Sequence, residues 1–87
     1  MHAVVVRVTI KDAEGAEETL RNDVVPQVSQ APGFVNGYWT RKGDAGLSMI
    51  LFESEDAATN ASDRIPSTVP DAVDLEGVEV REVIAHA

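Results

Sequence analysis

The sequence predicts an α+β domain in which four strands and two helices follow one another in the order βαββαβ. Two observations lead to this prediction. Segments with the two-residue alternation of strands flank two segments with helical spacing, and the apolar residues are mostly small or β-branched (44% hydrophobic, 5% aromatic). The chain has the length of one domain, residues 1–87, whose core must be thin. Extra burial by self-association is therefore expected.

The first predicted strand, residues 3–10 (AVVVRVTI), is largely apolar on both faces. Alternation puts Val4, Val6, Val8 and Ile10 on one face and Ala3, Val5, Arg7 and Thr9 on the other. A strand that is apolar on both faces is typical of the middle of a sheet, so this strand is predicted to be central.

The first predicted helix begins after Asp12, a residue type that caps helix N-termini, and continues to about residue 30. Its apolar positions are spaced i, i+4. Pro26 lies inside this stretch and cannot donate a backbone hydrogen bond, so a kink or break is expected there. The apolar positions are Ala16, Leu20, Val24 and Val28.

A hairpin and a second helix follow. Residues 34–42 and 47–53 read as strands joined by a glycine-containing turn. Ser54 is predicted to cap a helix over residues 55–65, whose inward positions Ala57, Ala58, Ala61 and Ile65 are mostly small. Residues 67–77 read as a loop, and residues 78–85 alternate like a half-buried strand.

Right-handed crossovers in such a chain predict the strand order 4-1-3-2, a ferredoxin-like antiparallel sheet with both helices on one face. The other face of the sheet is then bare. An apolar face of this kind rarely stays exposed, so we expect two copies to pack sheet against sheet as a homodimer. The candidate interface residues are Val5, Arg7, Trp39, Met49 and Leu51.

The charge of the chain excludes some partners. Fifteen acidic against seven basic residues give a net charge of −8, which disfavours binding to nucleic acid or to an anionic membrane. The absence of cysteine removes disulfides and thiolate sites. Because no signal peptide or membrane-spanning run is recognisable, a cytoplasmic location is expected.

A pocket for a small planar molecule is predicted between sheet and helices. Aromatic rings with an amide and a phenol nearby can hold and orient such a ligand. Core packing explains the aromatic positions equally well, and no acid or base stands out. The two histidines lie at the chain ends, so no metal site is expected. The candidate pocket residues are Val6, Phe34, Asn36, Tyr38 and Phe52.

Three segments carry a family resemblance. Residues 24–26 (VVP), residues 31–34 (APGF) and the strand end at residues 51–55 (LFESE), which precedes an alanine-rich helix, resemble the antibiotic biosynthesis monooxygenase-like group of dimeric α/β-barrel proteins. The resemblance covers nearly the whole chain. It implies a homodimer in which two four-stranded sheets form a barrel.

The resemblance also suggests two functions. One is an enzyme that oxidises a small aromatic or quinone-like metabolite without a cofactor, and the alternative is a non-catalytic dimeric protein that binds a small ligand or has a structural role. The family's haem-degrading members use an asparagine, a tryptophan and a histidine in their site. The matching places here hold Val6, Phe52 and no histidine, so haem binding is not expected.

Overall fold

The computed structural model describes residues 1–87 and shows a four-stranded antiparallel sheet with helical segments on one face. The first helical segment consists of α1, a π-helical turn (Leu20–Val24) and α2, and a 3₁₀ turn (Ile65–Ser67) follows α3. No helix has the length and apolar character that a membrane crossing requires. The strands and α-helices are β1 His2–Ile10, α1 Ala13–Thr19, α2 Val25–Ser29, β2 Phe34–Lys42, β3 Ala45–Phe52, α3 Glu55–Arg64 and β4 Val73–Glu82.

The strand order is β2-β3-β1-β4, which is the predicted order viewed from the opposite edge. Every neighbouring pair is antiparallel. The central strand β1 places Val5 between Met49 of β3 and Glu79 of β4. The predicted α+β sheet is thus confirmed, and its topology is compatible with a ferredoxin-like fold.

Both predicted helix caps are present. The backbone N–H of Gly15 donates to Asp12 Oδ1 (3.2 Å), and the N–H of Ala57 donates to Ser54 Oγ (3.1 Å). These bonds satisfy donors that a helix N-terminus cannot pair internally. The local sequence therefore sets where both helical segments begin.

The break expected near Pro26 is a wide turn. The N–H of Val25 donates to the carbonyl of Leu20, five residues earlier, which is the π-helical pattern. Pro26, which has no N–H, occupies the first turn of α2, where a missing donor is tolerated. The first helical segment thus continues in one general direction through a widened turn.

The core lies on the helix face of the sheet, at the end where β1 begins and β3 ends. Phe52 is fully buried and meets the ring of Phe34 edge-on, with centroids 6.2 Å apart. Ala58 of α3 is also fully buried against this cluster, because small side chains let the helix approach the sheet closely. The remaining members of the buried cluster are Val4, Val6 and Ile50.

The last strand differs from its prediction. β4 begins at Val73, not residue 78, and ends at Glu82. Its first part pairs with β1 after a register shift between Arg7 and Val8, and this irregularity hid the alternation in the sequence. Ile84, within the predicted range of the strand, lies beyond its end and is exposed.

The faces of β2 also differ from expectation at one point. Phe34 pairs with Phe52 and Asn36 pairs with Leu51, so Val35 is an extra residue that forms a bulge. The extra residue reverses the alternation that follows. Trp39 therefore lies on the helix face rather than on the open face, and Asn36 and Tyr38 lie on the open face.

Candidate functional site

A cavity of about 400 Å³ lies between the sheet and the first helical segment, next to the end of the sheet that carries the β2–β3 hairpin. Thirteen of its 21 lining residues are hydrophobic. Its volume is in the range of small-molecule sites. The lining residues include Val6, Val8, Ile10, Ala13, Ala16, Leu20, Val24, Val28, Trp39, Gly46, Ser48, Ile50, Ile65 and Val73.

Small side chains on both walls leave this space open. On β3 the helix-side positions change along the strand from Gly46 and Ser48 to Ile50 and Phe52, so the large residues are all at the core end. Gly46 packs directly against Val8, since an added Cβ would lie 2.6 Å from Val8 Cγ2, and it adds no side chain to the cavity. On the helical wall, Ala13 and Ala16 of α1 are too small to fill the gap.

The helical wall is an apolar stripe of the predicted residues. Ala16, Leu20, Val24 and Val28 all line the cavity, and none of them is fully buried. A regular α-helix would gradually rotate residues spaced by four out of one line, because it has 3.6 residues per turn. The wide π turn counteracts this rotation and keeps the stripe facing the sheet.

Trp39, the single tryptophan of the chain, forms an aromatic wall of the cavity. Its ring lies over Gly37, where an added Cβ would come within 2.8 Å of it. Ser48 is its partner on β3 and adds a hydroxyl to the same wall. This arrangement can hold a flat apolar molecule and offer it one polar contact.

Three charged residues line the cavity. Glu17 and Arg21, one turn apart on the first helical segment, form an ion pair with Arg21 Nη2 donating to Glu17 Oε1 at 2.6 Å. Arg41, near the end of β2, forms none of the ion pairs of the chain. Glu17 is the only carboxylate in the lining.

The predicted pocket residues separate into three places. Val6 lines the cavity, whereas Phe34 and Phe52 belong to the neighbouring core, in which Ala58 of α3 is also buried. Asn36 and Tyr38 lie on the open face, where the Asn36 amide donates to Tyr38 Oη (3.4 Å). Of the five predicted pocket residues, only Val6 therefore lines the cavity.

The polar lining of the cavity was not predicted from the sequence, and Trp39 was expected on the other face. A signal for its location was present in β3, where Gly46 and Ser48 interrupt an otherwise large apolar face. Arg41 shares that face through its pairing with Gly46. Counting back from Ser48 to Gly46 and across the hairpin to their partners on β2 places Trp39 and Arg41 on the helix face. Counting forwards along β2 from Phe34 places them on the wrong face, because of the bulge at Val35.

The open face of the sheet is the second candidate surface. Val5, Met49 and Leu51 lie on it as predicted, with Met49 45% exposed and the neighbouring Leu47 46% exposed. Tyr38, 59% exposed, is the β2 partner of Met49. These side chains form a continuous apolar patch across three strands.

A charged group borders this patch. Glu79 Oε1 accepts hydrogen bonds from Arg81 Nη2 and Arg7 Nη2, both at 2.9 Å. The two bonds, that from Arg81 being the stronger influence, lower the pKa of Glu79 from its ordinary value. The Glu79 carboxylate therefore stays ionised and holds both arginines over the sheet.

The histidines lie away from the cavity. His2 Nε2 is 3.3 Å from Glu55 Oε2, and His2 Nδ1 is buried without a partner. His86 follows the end of β4. No three side chains of the types that bind metal ions converge anywhere in the chain.

Comparison of the chain with models of known protein families and with curated proteins finds no match.

Proposed function

We propose that the protein binds a small, flat and mainly apolar molecule in the cavity between the sheet and the first helical segment. The observation that carries this proposal is the open apolar cavity itself. Only eight of the 87 residues are buried, yet the apolar stripe of the helical segment faces the sheet across a space that no side chain fills. A ligand of matching size would bury this surface and be stabilised by it.

The walls favour an aromatic ligand over a purely aliphatic one. The Trp39 ring offers a flat face, and aromatic rings that stack or meet edge-on gain about 0.5–1.5 kcal/mol beyond the area they bury. Ser48 beside it can accept from or donate to a ring hydroxyl. The cavity has few polar groups, and in a mainly apolar site a few polar groups serve to fix the orientation of the ligand.

Binding is testable with the neutral dye N-phenyl-1-naphthylamine. Dye in the cavity lies beside the single tryptophan, so excitation of Trp39 should transfer energy to it in a saturable way. The variant Ala16→Phe places a ring in the cavity from the helical wall and should bind the dye about tenfold more weakly or worse. Ala45→Phe, an equal change on the opposite face of the sheet, should bind like the wild type.

Absence of saturable energy transfer in the folded wild-type protein would contradict the binding function. Equal weakening in both alanine variants would show that the dye binds elsewhere. Circular dichroism of each variant checks that the fold is retained.

An enzymatic form of this function is the oxidation of the bound aromatic molecule without a cofactor, as the resemblance to the monooxygenase-like proteins implies. O₂ is then the oxidant: a phenol or its keto form gains one oxygen atom to become a quinone, and the second atom leaves as water. Glu17 is the one carboxylate that lines the cavity and so the candidate acceptor of the substrate proton. The alternative is a binding protein without turnover.

Oxygen uptake in the presence of anthrone distinguishes these two forms. A catalyst should consume one O₂ per anthrone converted to anthraquinone, faster than in buffer, and Glu17→Gln should lose about 10²-fold or more of the added rate because the proton acceptor is gone. Uptake no faster than in buffer, with dye binding intact, would support the non-catalytic alternative.

We also propose that two copies pair through their open sheet faces. Exposed Leu47 and Met49, together with Tyr38, form an apolar patch in the middle of a sheet that is covered on one side only. A chain with so few buried residues gains stability from burying about 800 Å² per partner, the size of a standard interface.

Light scattering tests this pairing at micromolar protein. The expected mass is twice the 9.3 kDa of the chain. Met49→Glu puts a charge between Val5 and Tyr38 in the middle of the patch and should give monomers, whereas Thr59→Glu, the same added charge on the exposed side of α3, should not. A stable wild-type monomer at this concentration would refute the dimer.

A further inference from the structure

The charges around the cavity do not balance. Arg21 is bound by Glu17 at 2.6 Å, so these two residues together contribute no net charge. Arg41 adds a positive charge that no carboxylate of the chain compensates within ion-pair distance. The cavity thus carries a net charge of +1 in a chain whose total is −8.

The position of Arg41 leaves its guanidinium group available. Arg41 is exposed and lies near the end of β2, which is an edge strand of the sheet. Its partner on β3 is Gly46, which has no side chain to cover it. Four of the seven basic residues pair with acidic neighbours, and Arg41 is the one of the other three that lines the cavity.

We infer that the ligand of this cavity is a small aromatic carboxylate, whose ring lies against Trp39 and whose anionic group is bound by Arg41. This inference rests on the proposed binding function and adds the chemical class of the ligand. A guanidinium group matches a carboxylate with two parallel N–H bonds, and such charge-assisted bonds are stronger than neutral ones. Leu20 and Val24, two residues of the apolar stripe, cover the other side of the ring.

The overall negative charge of the protein limits which residues can attract an anionic ligand. At −8 the protein repels anions in general, so a preference for an anionic ligand has to come from a nearby cation. Because exposed charges interact weakly beyond about 10 Å at ordinary salt, the responsible cation has to adjoin the cavity. Lys42 is next to Arg41 in sequence but lies on the opposite face of the sheet, which makes it a matched control.

The test compares 2-naphthoate with its neutral analogue 2-naphthamide as competitors of N-phenyl-1-naphthylamine. We expect the wild type to bind naphthoate about tenfold more tightly than naphthamide. Arg41→Gln should reduce this ratio to about twofold or less, because naphthoate loses its cationic partner and naphthamide has none to lose. Lys42→Gln, which changes the total charge equally, should keep the ratio of the wild type.

A second variant changes the affinity in the opposite direction. Glu17→Gln removes the partner of Arg21, so this guanidinium becomes available to the ligand. The affinity for naphthoate should then rise several-fold relative to that for naphthamide, and added salt should reduce the gain.

Two outcomes would overturn the inference, and they differ in what else they overturn. If dye and naphthamide bind but naphthoate shows no advantage, or if Arg41→Gln and Lys42→Gln act alike, the carboxylate assignment is wrong and the binding function stands. If neither naphthalene compound nor the dye binds, both the binding function and the ligand class are wrong.

Discussion

The size of the side chains along the helix face of β3 is the constraint on which the rest of the structure depends. Ile50 and Phe52 fill the space under α3, while Ser48 is too small to fill the space under the first helical segment and Gly46, packed against Val8, adds no side chain to it. Protein interiors are closely packed and contain few voids, so a gap has to follow from small side chains at particular positions. On β3 the change from small to large side chains gives the gap at one end and close packing at the other. Core and cavity are therefore adjacent parts of one layer.

The other features follow from this division. The π turn keeps the apolar stripe of the first helical segment facing the gap, although no residue of that segment is buried. Because the cavity lies where packed side chains would otherwise be, the core is small. The exposed patch at Leu47 and Met49 offers the additional burial that a short chain needs. A ligand in the cavity and a second copy on the open face would complete the burial from both sides.

The sequence predicted the fold well and the site only in part. Alternation in β1, the caps at Asp12 and Ser54 and the turns at glycine are local signals, and the sheet order follows from them by general rules of topology. The faces of β2 could not be predicted, because one extra residue at Val35 reverses the alternation, and bulges leave no reliable mark in a sequence. Arg41 was missed because its face follows from its pairing with Gly46 across the β2–β3 hairpin, and not from counting along β2 through the bulge.

The most direct test of this account measures the free energy of unfolding after opposite size changes at the two ends of the helix face of β3. In urea at constant protein concentration, Phe52→Ala should lose about 3–5 kcal/mol because it empties the core. Ser48→Leu should be unchanged or gain up to about 1 kcal/mol, because its larger side chain enters existing apolar space. A loss under about 1.5 kcal/mol for Phe52→Ala, or a loss of 1–3 kcal/mol from overpacking in Ser48→Leu, would contradict the account.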